Sequence, residues 1–170
     1  MIYTLTLNPS IDYIMPLEHL QLGATNYTQG EYMLPGGKGI NVSRILNQLN
    51  VPNKALGFIG GYTGKFIEEW LEKEDAAYHF IPIEGQTRIN VKLKGKNETE
   101  INGRGPIISE EEKQQLIKQI DQLTSEDTLV ISGSKNKGLS ETFYNEIIKI
   151  CQKNQTSFII DTNSKELLEA

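Results

Sequence analysis

The fold of this chain is decided by the segment Pro35-Gly36-Gly37-Lys38-Gly39-Ile40-Asn41-Val42-Ser43-Arg44, in which three glycines lead into an amphipathic sequence. Apolar residues recur at the spacing of a helix with one buried face; they are Val42, Ile45, Leu46 and Leu49. Glycines let a backbone approach a ligand closely, and the first amides of a helix have no acceptors within the helix. Such a helix start suits a polyhydroxylated anion, for example a sugar phosphate.

Two better-known glycine motifs do not fit this segment. A P-loop requires glycine where Tyr32 stands and Ser or Thr where Gly39 stands. A dinucleotide-binding motif requires a third glycine where Val42 stands and a strand directly before the glycines, which Pro35 disfavours. A flexible glycine loop that ends in a helix cap stays open as the alternative, because so short a motif does not decide between them.

Composition restricts the class of protein. A length of 170 residues suits one ordinary domain or part of a larger one, and 38% hydrophobic residues are enough for a core. The net charge of −5 and an isoelectric point near 5.1 argue against nucleic-acid and membrane-surface partners. No apolar run is long enough to span a bilayer, and Met1 leads directly into a strand-like sequence rather than a signal peptide. We therefore expect a cytoplasmic protein.

Neither cysteine nor histidine chemistry is indicated. The single Cys151 falls on the apolar side of a predicted helix, where an inert core thiol is expected. His19 and His79 have no matching ligands at zinc-binding spacing. The sequence thus predicts no internal disulfide and no metal site.

Strands and helices alternate along the chain, which predicts a parallel sheet with crossover helices. The predicted strands cover residues 2–7, 54–59, 78–83, 128–131 and 157–160, and we expect the last two to be buried. The predicted helices cover residues 39–50, a segment around 66–71, a segment after residue 109, and 140–154. Ser109 and Glu112 have the spacing of a capping box at the start of the third helix.

A β-hairpin interrupts this alternation. Residues 87–94 alternate strictly, and residues 98–102 return the chain. The apolar face of the first strand carries Ile89, Val91 and Leu93, and its polar face carries Arg88, Asn90, Lys92 and Lys94. Residues 23–34 are also extended and polar. We expect a small antiparallel sheet that covers a ligand at the carboxyl ends of the parallel strands; a solvated hairpin without function is the alternative.

Six segments, in this order and at these separations, resemble the PfkB (ribokinase-like) carbohydrate kinases over the whole of residues 1–170. They are Thr6-Leu7-Asn8-Pro9-Ser10-Ile11-Asp12, the glycine segment 36–44, Ala55-Leu56-Gly57-Phe58-Ile59-Gly60-Gly61, Thr87-Arg88-Ile89-Asn90-Val91-Lys92, Thr99-Glu100-Ile101-Asn102-Gly103 and Ile131-Ser132-Gly133-Ser134. The two hairpin strands are most similar to the 1-phosphofructokinase branch. The resemblance implies an α/β fold, the three-layer α/β/α ribokinase-like arrangement with a mainly parallel central sheet and a small antiparallel β lid.

The resemblance also implies which residues bind substrate. Asp12, Asn41 and Asn90 match ligands of the sugar, Gly37 and Lys38 match its binding loop, and Arg88 and Ser134 match ligands of its phosphate. Taken without the resemblance, Asp12 is better explained as a turn residue after Pro9-Ser10, and the alternative for Ser134 is an ordinary strand-exit turn.

The implied activity is phosphorylation of fructose 1-phosphate to fructose 1,6-bisphosphate, with ATP and Mg²⁺ as cofactors in the intact enzyme. Tagatose 6-phosphate is the alternative substrate, and a non-catalytic sugar-phosphate-binding or structural fragment is the alternative of another class.

The family's Gly-Ala-Gly-Asp segment, which carries the catalytic base, does not occur. We therefore expect residues 1–170 to be the amino-terminal part of a single domain, with lid segments at about 12–35 and 86–105. The carboxyl-terminal nucleotide-binding half would be absent and the isolated chain inactive.

Two departures from the family pattern concern the lid and the phosphate turn. Lys135-Asn136-Lys137 stands where relatives commonly have Leu-Pro, and Tyr27 stands where many have an arginine that reaches a partner subunit. The resemblance implies a homodimer formed through the β lid.

Overall fold

The computed structural model describes residues 1–140 and 142–162, which form nine strands and four helices. In chain order the elements are β1 (Ile2–Thr6), β2 (Ser10–Pro16), β3 (Tyr32–Gly36), α1 (Lys38–Gln48), β4 (Asn53–Ile59), α2 (Gly61–Lys73), β5 (Tyr78–Pro82), β6 (Arg88–Lys94), β7 (Thr99–Asn102), α3 (Glu110–Ile120), β8 (Thr128–Ser132), α4 (Phe143–Lys153) and β9 (Ser157–Asp161). None of these helices is long and apolar enough to cross a membrane.

The main sheet confirms the predicted α/β fold. Five strands in the order β5-β4-β1-β8-β9 pair in parallel throughout. One apolar cluster joins α1 and α2 to one face of this sheet through Ile40, Ile67 and Leu71. A second cluster joins α3 and α4 to the opposite face through residues such as Leu116 and Ile147. The result is the expected three-layer arrangement, with strand β1 at its centre.

The lid is a separate four-stranded sheet in the order β3-β2-β6-β7. We predicted an antiparallel lid, but β2 and β6 pair in parallel, so the sheet is mixed. Strand β2 follows β1 of the main sheet, and strand β6 follows β5. Because the main sheet is parallel, both lid strands come after the carboxyl ends of its strands. In the predicted extended segment 23–34 the strand begins only at Tyr32. Strand β2 lies mostly within the expected lid segment 12–35, although no strand was predicted there. Pro35 is accommodated because β3 lies at the edge of the lid.

The buried side of α1 differs from the predicted one. The fully buried residues are Gly39, Ile40 and Ser43, whereas Ile45 and Leu49 are 54% and 66% exposed. A Cβ atom on Gly39 would lie 2.5 Å from Oγ1 of Thr6 and 2.9 Å from the carbonyl oxygen of Leu5. The helix therefore packs on the sheet through Gly39, Ile40 and Ser43, which places Ile45 and Leu49 on its outer side.

Two other expectations have opposite outcomes. The capping box is confirmed, because the Glu112 carboxylate accepts from the backbone N–H of Ser109 at 2.7 Å, while the Ser109 hydroxyl accepts from the N–H of Glu112.

The expectation of a buried last strand was wrong. Within residues 1–140 and 142–162, β9 pairs only with β8 and forms an edge, so Ile159 is 56% exposed.

Cys151 is confirmed as a core thiol. Its side chain is 1% exposed and packs in the cluster beneath α3 and α4, where burial raises the pKa of the thiol.

A polar network joins α1 to α2. Arg44 contacts Glu74 with two hydrogen bonds, from Nε at 2.7 Å and from a terminal guanidinium nitrogen at 2.6 Å. The indole N–H of Trp70 donates to the same carboxylate at 2.8 Å, and the guanidinium lies 5.8 Å from the centre of its ring system. Both charged side chains are mostly buried, at 19% and 27% exposure, so the bonds are shielded from water.

We predict that Glu74→Gln lowers the free energy of unfolding by about 1–3 kcal/mol near neutral pH, because it removes a charge-assisted pair. The hydrogen bonds from Arg44 lower the pKa of Glu74 below its ordinary value of 4.5, burial opposes the shift, and Trp70 adds to it. The stabilisation is therefore complete above pH 4.5 and is lost as the pH falls through the lowered pKa of the folded state. Urea unfolding of both proteins across this range measures the difference.

The matched control is Glu69→Gln, which breaks an exposed pair with Lys65 on the same helix. It should change the unfolding free energy by less than about 0.5 kcal/mol at any pH. Equal effects of the two substitutions would contradict a special role for the Arg44–Glu74 pair.

Candidate functional site

A cavity of about 450 Å³ lies between the main sheet and the lid. Its floor is formed by residues that follow β1, β8 and β9, one wall by the start of α1, and the opposite wall by β2 and β6 of the lid. The structure brings every predicted site residue to this cavity: Asp12, Gly37, Lys38, Asn41, Arg88, Asn90 and Ser134.

Asp12 is held by three donors. Its Oδ1 atom accepts from the hydroxyl of Ser10 and from the amide of Asn90, each at 3.0 Å. Its Oδ2 atom lies 3.1 Å from the ammonium of Lys92. A Cβ atom on Gly36 would lie 2.5 Å from Oδ1, so glycine is required beside this carboxylate. Because Oδ1 already accepts two hydrogen bonds, the remaining acceptor capacity of Asp12 is at Oδ2.

Three buried oxygen atoms at the cavity lack a hydrogen-bond partner among the described residues. They are Oδ1 of Asn90, Oδ1 of Asn8 and Oγ1 of Thr6, in residues that are 8%, 7% and 3% exposed. A buried polar atom without a partner costs free energy, so these atoms are positions where a ligand with hydroxyl donors gains most.

Arg88 is the cation of the cavity whose charge is least compensated. Its Nε donates to the carbonyl oxygen of Asn8 at 3.1 Å and a terminal nitrogen donates to that of Gly103 at 3.0 Å. No carboxylate of the described residues lies within 4.0 Å of it. Burial lowers the pKa of Arg88 below its ordinary value, and the charge of Asp12 opposes this. The guanidinium is thus fixed by neutral groups and keeps its charge for an anion.

The start of α1 supplies Lys38 and Asn41. Gly37 precedes the helix with φ of 115°, and a Cβ atom there would lie 2.6 Å from Cγ2 of Thr6. Lys38 forms an ion pair with Asp161 at 3.1 Å, in which both side chains are more than half exposed. Such an exposed pair opens easily, so Lys38 remains available to a ligand.

Hydrogen bonds to the backbone of Gly133 hold the turn after β8 in place. Gly133 has φ of 95°, and its carbonyl oxygen accepts from the hydroxyls of Tyr144 and Thr162, each at 3.2 Å. Its N–H donates to the carbonyl oxygen of Asp161 at 2.9 Å. These bonds hold the backbone that presents the hydroxyl-bearing Ser134 at the cavity.

Sequence reasoning missed several residues at the cavity, among them Thr6, Asn8, Ser10 and Lys92. A signal existed for Lys92, because it shares the polar face of residues 87–94 with Arg88 and Asn90. No local signal identified Thr6 or Asn8, whose roles depend on the packing of α1 and on the segment after β7.

In the part of the chain that the structure describes, no group of three or more His, Cys, Asp or Glu side chains could hold a metal ion. The polar groups that line the cavity are a guanidinium, two ammonium groups, a carboxylate, hydroxyls and amides.

Comparison with known proteins identifies the family. The profile described as pfkB family carbohydrate kinase matches residues 5–169. The 1-phosphofructokinase of Bacillus subtilis (strain 168) is 44% identical over 170 residues, which are 100% of this chain and 56% of that protein. The D-tagatose-1-phosphate kinase of Bacillus licheniformis is 39% identical over 169 residues, 99% of this chain and 56% of that protein.

A solved structure agrees with these relatives. Phosphofructokinase-2 from Escherichia coli, in complex with fructose-6-phosphate, superposes with a TM-score of 0.93 at 28% identity, covering 99% of this chain and 57% of that one. The chain thus spans little more than half the length of the relatives it matches. Since the family profile and the relatives each match nearly the whole length of the chain, this chain belongs to the pfkB family of carbohydrate kinases.

Proposed function

We propose that this chain holds the acceptor of an ATP-dependent sugar-phosphate kinase, and that the acceptor is fructose 1-phosphate. The observation that carries the proposal is the uncompensated guanidinium of Arg88 in the same cavity as the Asp12 carboxylate and three unpartnered oxygen atoms. A phosphorylated polyol offers an anion to the first and hydroxyl donors to the others. The relative named 1-phosphofructokinase supports this substrate.

Within the proposal the two ends of the substrate have different ligands. Arg88 and Ser134 bind the 1-phosphate, with Gly37 and Lys38 at the start of α1 adding amide donors and a positive charge. Asp12, Asn41 and Asn90 bind the sugar hydroxyls. The lid strands that carry Asp12 and Arg88 cover the cavity and exclude water from it.

Phosphoryl transfer depends on positioning and on neutralising negative charge. Asp12 is the one carboxylate that lines the cavity within residues 1–140 and 142–162, and its two oxygens are engaged by Ser10, Asn90 and Lys92. We therefore assign Asp12 to binding and assign no catalytic base, ATP ligand or Mg²⁺ ligand to the described residues. In the intact enzyme ATP would supply the phosphoryl group for the free 6-hydroxyl, giving fructose 1,6-bisphosphate.

Tagatose 1-phosphate is the second candidate acceptor, because a relative at 39% identity is named D-tagatose-1-phosphate kinase. Tagatose 6-phosphate, the alternative from the sequence, places the phosphate at the other end of the ketose. A chain that captures sugar phosphate without transferring phosphate is the alternative of another class.

We also infer a homodimer formed through the lid. The lid face opposite Asp12 carries Met33, Ile89 and Ile101, which are 41%, 38% and 60% exposed. Three exposed apolar side chains on one small sheet are typical of a surface covered by a partner.

Calorimetric titration tests the binding proposal. We expect the 170-residue chain to bind fructose 1-phosphate, and Arg88→Ala to weaken binding about tenfold to hundredfold through the loss of a charge-assisted bond. Arg104→Ala is the matched control, because Arg104 is exposed and lies outside the cavity lining. Unchanged affinity in Arg88→Ala, with a melting temperature that shows a folded variant, would remove Arg88 from the site.

Turnover is a separate expectation. The chain should form no fructose 1,6-bisphosphate when incubated with fructose 1-phosphate, ATP and Mg²⁺, because absence of a general base alone costs about 10²- to 10⁴-fold in rate. A coupled assay for the bisphosphate measures this. Product formation above the level of a sample lacking the chain would show that the described residues contain a base we have not assigned.

Sedimentation equilibrium tests the lid interface. Ile101→Asp places a charge on the apolar lid face and should shift the chain from dimer to monomer, whereas Ile107→Asp, at an exposed site outside the lid strands, should not. A wild-type monomer at all concentrations, or equal effects of the two substitutions, would rule out this interface.

A further inference from the structure

We propose that Lys92 is a specificity-determining residue of this site. Its ammonium and the Oδ2 atom of Asp12 form a donor and an acceptor side by side, 3.1 Å apart, that bind neighbouring hydroxyls of the ketose. This inference rests on the proposed function and adds to it the part of the site that distinguishes one ketose from another. The family resemblance gave Lys92 no role.

The position of Lys92 is fixed from both sides. It lies in β6, two residues beyond Asn90 on the same face, and lines the cavity. Its neighbours are Asp12 from β2 and Glu100 from β7, with Oε1 of Glu100 at 3.6 Å from the ammonium. The side chain is 26% exposed, so the ammonium is partly withdrawn from water but open to the cavity.

Counting hydrogen-bond capacity shows what Lys92 and Asp12 have left to offer. An ammonium has three protons; Asp12 accepts one of them at 3.1 Å, while Glu100, at 3.6 Å, is an ion-pair neighbour beyond hydrogen-bond distance. Oδ1 of Asp12 is filled by Ser10 and Asn90, so its free acceptor capacity is on Oδ2, the atom that faces Lys92. At least one donor and one acceptor are therefore left at adjacent positions. A pair of neighbouring hydroxyls, each able to donate and accept, is the complementary ligand.

The charges around Lys92 make it a poorer phosphate ligand than Arg88. Burial alone would lower the pKa of Lys92, but the hydrogen bond and charge of Asp12, together with Glu100, raise it above its ordinary value. Two carboxylates therefore keep Lys92 charged while compensating that charge. Arg88 lies four residues earlier on the same strand face, about 13 Å away along the strand, without such a carboxylate. The phosphate is favoured at Arg88, which leaves Lys92 to the hydroxyl-bearing part of the ketose.

A donor and an acceptor at fixed positions discriminate between the two orientations of a ligand hydroxyl. Fructose and tagatose differ in configuration at a single carbon, C4, so their 1-phosphates present the same anion and one hydroxyl in opposite directions. Contacts to the phosphate do not distinguish the two ketoses. The Lys92–Asp12 pair, whose position is set by contacts with Ser10, Asn90 and Glu100, is placed to do so.

The experiment measures dissociation constants by calorimetry for fructose 1-phosphate, tagatose 1-phosphate and glycerol 3-phosphate, which carries a phosphate without the ketose. The variant Lys92→Met keeps the length of the side chain and removes the ammonium, and Lys92→Arg restores the charge with a different shape. Lys94→Met is the matched control, because Lys94 lies one step further along the same face, pairs with Glu98 and is outside the cavity lining.

We expect Lys92→Met to weaken binding of the preferred ketose phosphate about tenfold to hundredfold and to bring the two ketose affinities together. Binding of glycerol 3-phosphate should change less than about threefold, as should every affinity in Lys94→Met. Lys92→Arg should recover part of the lost affinity but not the wild-type ratio between the ketoses. Arg88→Ala should show the opposite pattern, weakening all three ligands and leaving the ratio unchanged.

Three results would overturn the inference. They are a wild-type chain that binds both ketoses equally, a ratio that Lys92→Met leaves unchanged, and an equal loss of glycerol 3-phosphate binding, which would make Lys92 a general anion ligand. If Lys92→Met does not fold, the ratio in Lys92→Arg decides, and a wild-type ratio there contradicts the inference. A wild-type chain that binds none of the three ligands would instead refute the proposed function.

Discussion

The close approach of helix α1 to strand β1 is the constraint on which the rest of the site depends. Gly37 and Gly39 lie where a Cβ atom would come within 2.6 Å of the side chain of Thr6. Only glycine lets the helix start so near the end of the strand, and this brings Lys38 and Asn41 to the cavity. A larger residue at either position would push the helix away from the sheet and open the wall that faces the lid.

The lid contributes the other half of the site, and the cations that line the cavity differ in how far carboxylates compensate them. The charge of Lys92 is compensated by Asp12 and Glu100 and that of Lys38 by Asp161, but Arg88 is fixed only by backbone carbonyls. The cavity therefore has one place where an anion meets an uncompensated cation. The other polar groups are arranged for hydroxyls, because a paired carboxylate and unpartnered amide oxygens bind neutral donors better than they bind a phosphate.

Much of this could be predicted from the sequence, because it follows from local patterns. The alternation of strands and helices, the capping box at Ser109 and the polar face of residues 87–94 each depend on spacing within a short segment. The features that were missed depend on distant contacts. The outward turn of Ile45 follows from the packing of Gly39 on Thr6, and the contact of Lys92 with Asp12 follows from the parallel register of β2 and β6. The exposure of β9 is likewise set by its place at a sheet edge.

The most direct test of the central claim is a crystal structure of the chain soaked with fructose 1-phosphate. We predict that the phosphate lies within hydrogen-bonding distance of the Arg88 guanidinium and Ser134, with a sugar hydroxyl on Oδ2 of Asp12. A phosphate bound at Lys92 or outside the cavity, with Arg88 unchanged, would contradict it.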